Sequence, residues 1–201
     1  MFKKTAQIIS ILLHPVLIPT LGFFLLFNSG FYFSFLSWEA RRYVLMVILF
    51  TTAVLPLLAV ALLALKPKFD LTLAKSTDRL MAMLFTAAFY YLGFVLLSKM
   101  QAYPVFKLLL LASVLVIIAV LLVSFKWRIS HHMAAAGSLT AAFFALSFRT
   151  GVNPVYSLTG LIIISGLLGT SRLVLQKNNL AQVGAGYVLG FIIIYLIIYF
   201  L

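Results

Sequence analysis

Charged residues divide the chain into apolar stretches, each about as long as a bilayer-crossing helix. A helix needs about 20 apolar residues to cross the hydrocarbon core. The stretches are Thr5 to Trp38, Tyr43 to Leu65, Leu80 to Ser98, Leu108 to Phe125, Ile129 to Phe148, Thr150 to Ser171 and Asn178 to Leu201. This gives seven membrane segments, or six if the first is re-entrant. In lipid the backbone must satisfy its own hydrogen bonds, which leaves helices or a closed barrel. The stretches are continuous rather than alternating, so the expected fold is all-α, a polytopic transmembrane helical bundle. A water-soluble domain of 201 residues could not hide a 65% hydrophobic composition with 9% charge.

The first stretch is too long for one upright helix. His14, Pro15 and Pro19 lie in it, and Asn28 and Gly30 mark its end. A kinked, tilted or partly re-entrant helix is expected. The start, Met1-Phe2-Lys3-Lys4 before an apolar run, resembles a signal peptide. No small-x-small site follows cleanly, so the expectation is an uncleaved first span. The chain shows no repeat and no room for a soluble domain. It divides into two N-terminal segments over 1–66 and a membrane core over 67–201, together one integral membrane domain. Pro67 helps end the second span, inside the long polar connection Lys66 to Arg79.

Fifteen Lys/Arg against three Asp/Glu give a net charge of +12. In a membrane chain this excess points to lipid phosphates and the positive-inside bias, not to nucleic acid. With seven spans, Lys3, Lys4, Lys66, Lys68, Lys75, Arg79, Lys126, Arg128, Arg172 and Lys177 share one side, and Arg41, Arg42, Lys99, Lys107 and Arg149 the other. Ten against five places the first set in the cytoplasm. Without Lys75, Arg79, Arg128 and Arg172 the count is six against five and decides nothing. The absence of Cys excludes disulfides and thiolate chemistry, and three His with three acids leave little material for a metal centre. No metal and no cofactor are expected.

Three polar groups fall on the first side. Lys75-Ser76-Thr77-Asp78-Arg79 precedes the third span, Arg128-Ile129-Ser130-His131-His132 opens the fifth, and Ser171-Arg172 closes the sixth, followed by Asn178 and Gln182. Lys75 and Arg79 are four apart, as are Asn178 and Gln182, so each pair shares a helix face. Free N–H groups at a helix start and guanidinium forks both suit phosphate oxygens. Any one of these cations could equally be a snorkelling anchor, and Ser130 could be a helix N-cap. His14 before Pro15 is expected to bind a backbone carbonyl at the kink. Trp38, Tyr43, Tyr103 and Trp127 are expected as interfacial anchors. Gly186-x3-Gly190 and Ser165-x3-Gly169 allow close helix contact, within the chain or in a homo-oligomer, and contact within the chain is the simpler expectation.

In order and spacing these groups resemble the type 2 phosphatidic acid phosphatase (PAP2) family. Ser130-His131-His132 is similar to its Ser-x-His motif. Ser171-Arg172 before Asn178 is similar to Ser-Arg-x5-His-x3-Asp, and Arg79 with Lys75 to a shortened Lys-x6-Arg-Pro. Ala181-Gln182-Val183-Gly184-Ala185-Gly186 resembles the glycine-containing helix that closes the family core, and His14-Pro15 resembles compact bacterial members. The resemblance covers roughly Lys75 to Leu201. It implies a PAP2-like bundle in a bacterial cytoplasmic (inner) membrane, with phosphate-bearing lipids as ligands. By position, Lys75, Arg79, Ser130, Ser171 and Arg172 would bind phosphate and His132 would be the general acid.

Asn178 stands at the position of the nucleophilic His, and Gln182 at that of its orienting Asp. An imidazole nitrogen can attack phosphorus and a carboxylate can hold its tautomer, but an amide offers no such lone pair. No His follows His132, although His131 is a conceivable substitute. Leu80 replaces the first motif's Pro. The same missing His disfavours a vanadium haloperoxidase. The expected function is binding of a phosphorylated lipid head group without turnover, as a pseudoenzyme or regulator of a membrane partner. The alternatives are a working lipid or polyprenyl phosphatase with a rearranged nucleophile, and a small phospholipid transporter or flippase-like bundle. No mid-span charged pair or inverted repeat favours the last.

Overall fold

The computed structural model describes residues 2–65, 76–99 and 104–201, and no strand occurs among them. Lys66, Pro67, Lys68, Lys75 and Tyr103 lie outside the described residues. The helices are α1 (Phe2–Leu12), α2 (Ile18–Phe27), α3 (Trp38–Leu49), α4 (Leu55–Leu63), α5 (Ser76–Ser98), α6 (Pro104–Ser124), α7 (His131–Thr150), α8 (Val155–Val174) and α9 (Leu180–Phe200). A 3-10 turn, Tyr32–Phe35, precedes α3, and a π-helical turn, Phe50–Val54, joins α3 to α4.

The long first stretch breaks where its prolines require it. Pro15 has no N–H with which to continue α1, and His14 N instead closes a tight turn on Ile11 O at 3.2 Å. Pro19 is tolerated in the first turn of α2, where N–H groups have no intrahelical acceptor. Asn28 caps the end of α2, its Nδ2 donating to Phe24 O at 2.7 Å. Gly30 then takes φ +76°, a conformation suited to glycine. The second stretch bends differently. Pro56 cannot donate to the carbonyl of Thr52, four residues back, and the helix widens into the π-turn there. Thr51 and Thr52 are fully buried at this turn.

Five helices are long and apolar enough to cross a membrane: Trp38–Leu63, Thr77–Ser98, Pro104–Ser124, Val155–Val174 and Leu180–Phe200. The chain is therefore a helical integral membrane protein by length and composition. The first stretch contributes two short helices of 11 and 10 residues instead of one long one. α7 has 20 residues, but its His, Ser, Thr and Gly lower its hydropathy, and it is not among the five. Its position explains the composition. Ala134, Ala136, Gly137, Thr140, Ala141, Ala142, Phe143, Ala145 and Leu146 are all buried among neighbouring helices.

The most extensive helix contact is between α7 and α9. Ser130 meets Gly186 and Ala134 meets Gly190, so the two helices run parallel with both N-termini at one end. Gly186 and Gly190 lie against the backbone carbonyls of Ser130 and Ala134, and Gly137 lies against the carbonyl of Tyr187. A Cβ at any of the three would collide with backbone. Gly169 faces Val183 and Met133, and Ser165 Oγ lies 3.5 Å from Thr140 Oγ1. Both small-residue patterns thus pack within the chain. A second knot of rings, including Phe31, Phe33, Phe106 and Phe143, fills the core towards the other end. Arg149 Nη1 donates to Ile198 O at 2.8 Å there, joining the C-terminal ends of α7 and α9.

Gly137→Ala and Gly190→Ala should each lower stability by about 1–3 kcal/mol, because the overpacked atom is backbone and cannot rotate away. Gly160→Ala, whose Cβ would meet nothing within 4 Å, should leave stability unchanged or slightly higher. Thermal unfolding of the three variants in one detergent checks the ranking.

Candidate functional site

The parallel packing of α7 and α9 gathers several helix ends. Ser130 N donates to Gln182 O at 3.1 Å, which ties the start of α7 to the first turn of α9. Arg79, in the first turn of α5, donates from Nη2 to the carbonyl of Ser124, the last residue of α6, at 3.3 Å. Arg172, in the last turn of α8, donates from Nε to Asn178 Oδ1 at 3.1 Å and from Nη1 to Ser10 Oγ at 3.0 Å. One guanidinium thereby joins α1, α8 and the approach to α9. A guanidinium carries more N–H donors than these two bonds use.

His14 and His132 meet here, and His131 adjoins His132 in sequence. The rings of His14 and His132 meet edge to face, with centroids 5.3 Å apart. His132 also hydrogen-bonds to the backbone of Ser10 and lies within Coulombic reach of Arg172. His131 lies within reach of both Arg79 and Arg172, and Arg79 within reach of Arg128. His14 was expected to bind a backbone carbonyl at the kink; instead its Nδ1 accepts from Val16 N at 3.4 Å, and its ring meets that of His132.

The sequence-expected residues divide by what their polar atoms do. Ser130 is buried at 1% exposure, and its Oγ accepts from Met133 N at 3.4 Å as the N-cap of α7. Ser171 is buried and donates to Leu167 O in its own helix at 2.8 Å. Asn178 donates from Nδ2 to Gln182 Oε1 at 3.4 Å. Gln182 has a further partner: Asn179 Oδ1 accepts from Gln182 N at 2.8 Å, and Gln182 Oε1 accepts from Asn179 N at 3.1 Å. This reciprocal capping box opens α9. The Asn-x-x-Gln spacing was a readable signal for it. Ser10 had none, being a lone serine in an apolar run. Lys75 lies outside the described residues.

Chemically, the cluster offers guanidinium and imidazole N–H groups and the first turn of α7. Nothing among the described residues groups three or more His, Cys, Asp or Glu as a metal site would require. Asn178 presents an amide already bonded to Arg172. Comparison with protein-family models, with curated proteins and with solved structures finds no match to this chain.

Arg172→Lys should lower stability by about 1–3 kcal/mol, since one ammonium cannot reach both Ser10 and Asn178 in the fork geometry and one partly buried partner loses its bond. Thermal unfolding in detergent, against Arg42→Lys as an exposed control, reads this directly.

Proposed function

We propose that the chain binds the phosphate of a lipid head group at this cationic end and does not hydrolyse it, as a PAP2-like bundle in a bacterial cytoplasmic membrane. The observation that carries this reading is the placement of His131, the first residue of α7, within reach of both Arg79 and Arg172. Two guanidinium groups from different helices thus lie within Coulombic reach of one helix start. That arrangement suits a phosphate monoester, whose oxygens accept from guanidinium forks and from the unpaired N–H groups of a first helical turn. The absence of turnover follows from chemistry at the next position. Asn178 presents an amide to Arg172, and Gln182 is engaged in the capping box. Neither amide can attack phosphorus. In this reading residues 67–201 form the PAP2-like core, and the +12 charge serves phosphate-bearing lipid rather than nucleic acid.

One observation favours a second reading. The His14 ring touches His132, the position of the general acid. An imidazole from outside the family motifs thereby stands beside the site, where it could supply the nucleophile that Asn178 cannot. The chain would then be a phosphatase with a rearranged site.

In nanodiscs of zwitterionic lipid, the protein should bind added phosphatidic acid. Arg79→Gln should weaken that binding about ten-fold, the loss of one charge-assisted contact. No phosphate should be released. Unchanged affinity in folded Arg79→Gln and Arg172→Lys variants would overturn the head-group reading. Phosphate release that disappears in both His14→Ala and His132→Ala would replace it with the second.

A further inference from the structure

We infer that α1 is a displaceable latch on the cationic end: Ser10 holds bonds of Arg172 and His132 that a phosphate monoester would take, so that binding of the phosphate and docking of α1 compete. The inference rests on the head-group reading and adds to it how the site is regulated.

A guanidinium has two edges that can grip an oxyanion with paired N–H donors. One is formed by Nε with a terminal nitrogen, the other by the two terminal nitrogens. Asn178 accepts from Nε of Arg172 at 3.1 Å, and Ser10 Oγ accepts from Nη1 at 3.0 Å. Both edges therefore have a nitrogen already engaged within the protein. The two bonds differ in how they can open. Asn178 is six residues from Arg172, in the connection that follows α8, so its bond is local. Ser10 is 162 residues away, on a separate helix. His132 also bonds to the backbone of Ser10, and its ring meets that of His14, four residues further along. The segment from Ser10 to His14 thus lies on Arg172 and His132 together. A serine oxygen carries no net charge. A phosphate oxygen meets a guanidinium with opposite charge and can do so bidentately, so exchange of Ser10 for phosphate favours the anion.

The attachment of α1 suits release. The helix has 11 residues, of which Ala6 and Ser10 are buried, while Phe2, Ile8, Ile11 and Leu12 are each more than half exposed. Ile9 and Leu13 pack near Leu168 and Met133. In a bilayer that contact is exchanged for acyl chains at little loss. The break at Pro15 separates α1 from α2, so α1 can swing without bending the helix that follows. Lys3 and Lys4 are exposed on the same short helix as these apolar side chains. A helix of that character has a second resting place at the lipid surface, with its cations among the head groups.

A distance measurement tests the latch. The chain has no cysteine, so nitroxide labels on Gln7→Cys and Tyr156→Cys, both exposed positions at α1 and the start of α8, mark this pair alone. In nanodiscs of zwitterionic lipid, saturating phosphatidic acid should lengthen and broaden the label distance measured by pulsed electron resonance. Release by glycerol 3-phosphate as well would identify the phosphate group as the trigger, and release by phosphatidic acid alone the lipid. Ser10→Ala removes the competitor and should tighten phosphatidic acid binding about five-fold. Ser10→Asp gives Arg172 a resident carboxylate, so it should weaken binding about ten-fold and keep the label distance short at lipid concentrations that release the unaltered chain. A distance unmoved at saturation, a Ser10→Ala variant that binds no more tightly, or equal release by the diester phosphatidylglycerol would each overturn the latch. If α1 stays in place while Arg79→Gln still weakens phosphatidic acid binding, the latch falls and the head-group reading stands. If phosphatidic acid does not bind the unaltered protein, both fall together.

Discussion

The close approach of α7 to α9 sets the rest of the molecule. Where Gly186 and Gly190 lie on the carbonyls of Ser130 and Ala134, two parallel helices come nearer than side chains would allow. In lipid, where apolar contact between helices gains nothing over contact with acyl chains, such packing is a main source of association. Parallel packing has a topological consequence. Two helices separated in sequence by α8 must start at the same end, and α8 must finish there. The Ser130 N–H then finds the carbonyl of Gln182, and the polar residues at these ends become neighbours.

At that end Arg172 acts as a keystone. It joins α1 through Ser10 and the start of α9 through Asn178, while His132 reaches the backbone of the same Ser10. The N-terminal segment is held to the core by these contacts as well as by apolar packing of Ile9 and Leu13 near Leu168 and Met133. A site built this way has a double character. Its arginines hold helices together and, with donors beyond those bonds, can still face an anion. Arg149, at the other end, shows the purely structural use of the same side chain, both of its bonds going to backbone carbonyls of α9 and the residue after it.

Much of this was legible in advance where it depends on local chemistry. The breaks at His14-Pro15 and at Asn28 to Gly30 follow from the missing proline N–H and the freedom of glycine, and both occur. The N-cap at Ser130 follows from a hydroxyl before an apolar run. The division of the first stretch into two short helices was less legible, because apolar length alone does not distinguish one tilted helix from two bent ones. Nor did composition reveal that α7 is enclosed. Its alanines, serines and threonines read as a weak span, yet they are the small side chains that permit burial on several faces. His14 and Ser10 were invisible as site residues because nothing in their neighbourhood marks a contact made more than a hundred residues away.

The sequence by itself determined a helical chain solvated by lipid, with cations concentrated beside three segment ends and few acids to oppose them. Backbone satisfaction in hydrocarbon and the length of each apolar stretch leave little choice on those points. Tertiary structure decided which of those ends meet. It brought His14 against His132 within Coulombic reach of Arg172, engaged Asn178 and Gln182 in bonds of their own, and set Arg79 on the carbonyl of Ser124. Those outcomes depend on glycine-mediated backbone contact between distant helices, a property of paired surfaces that no single segment carries.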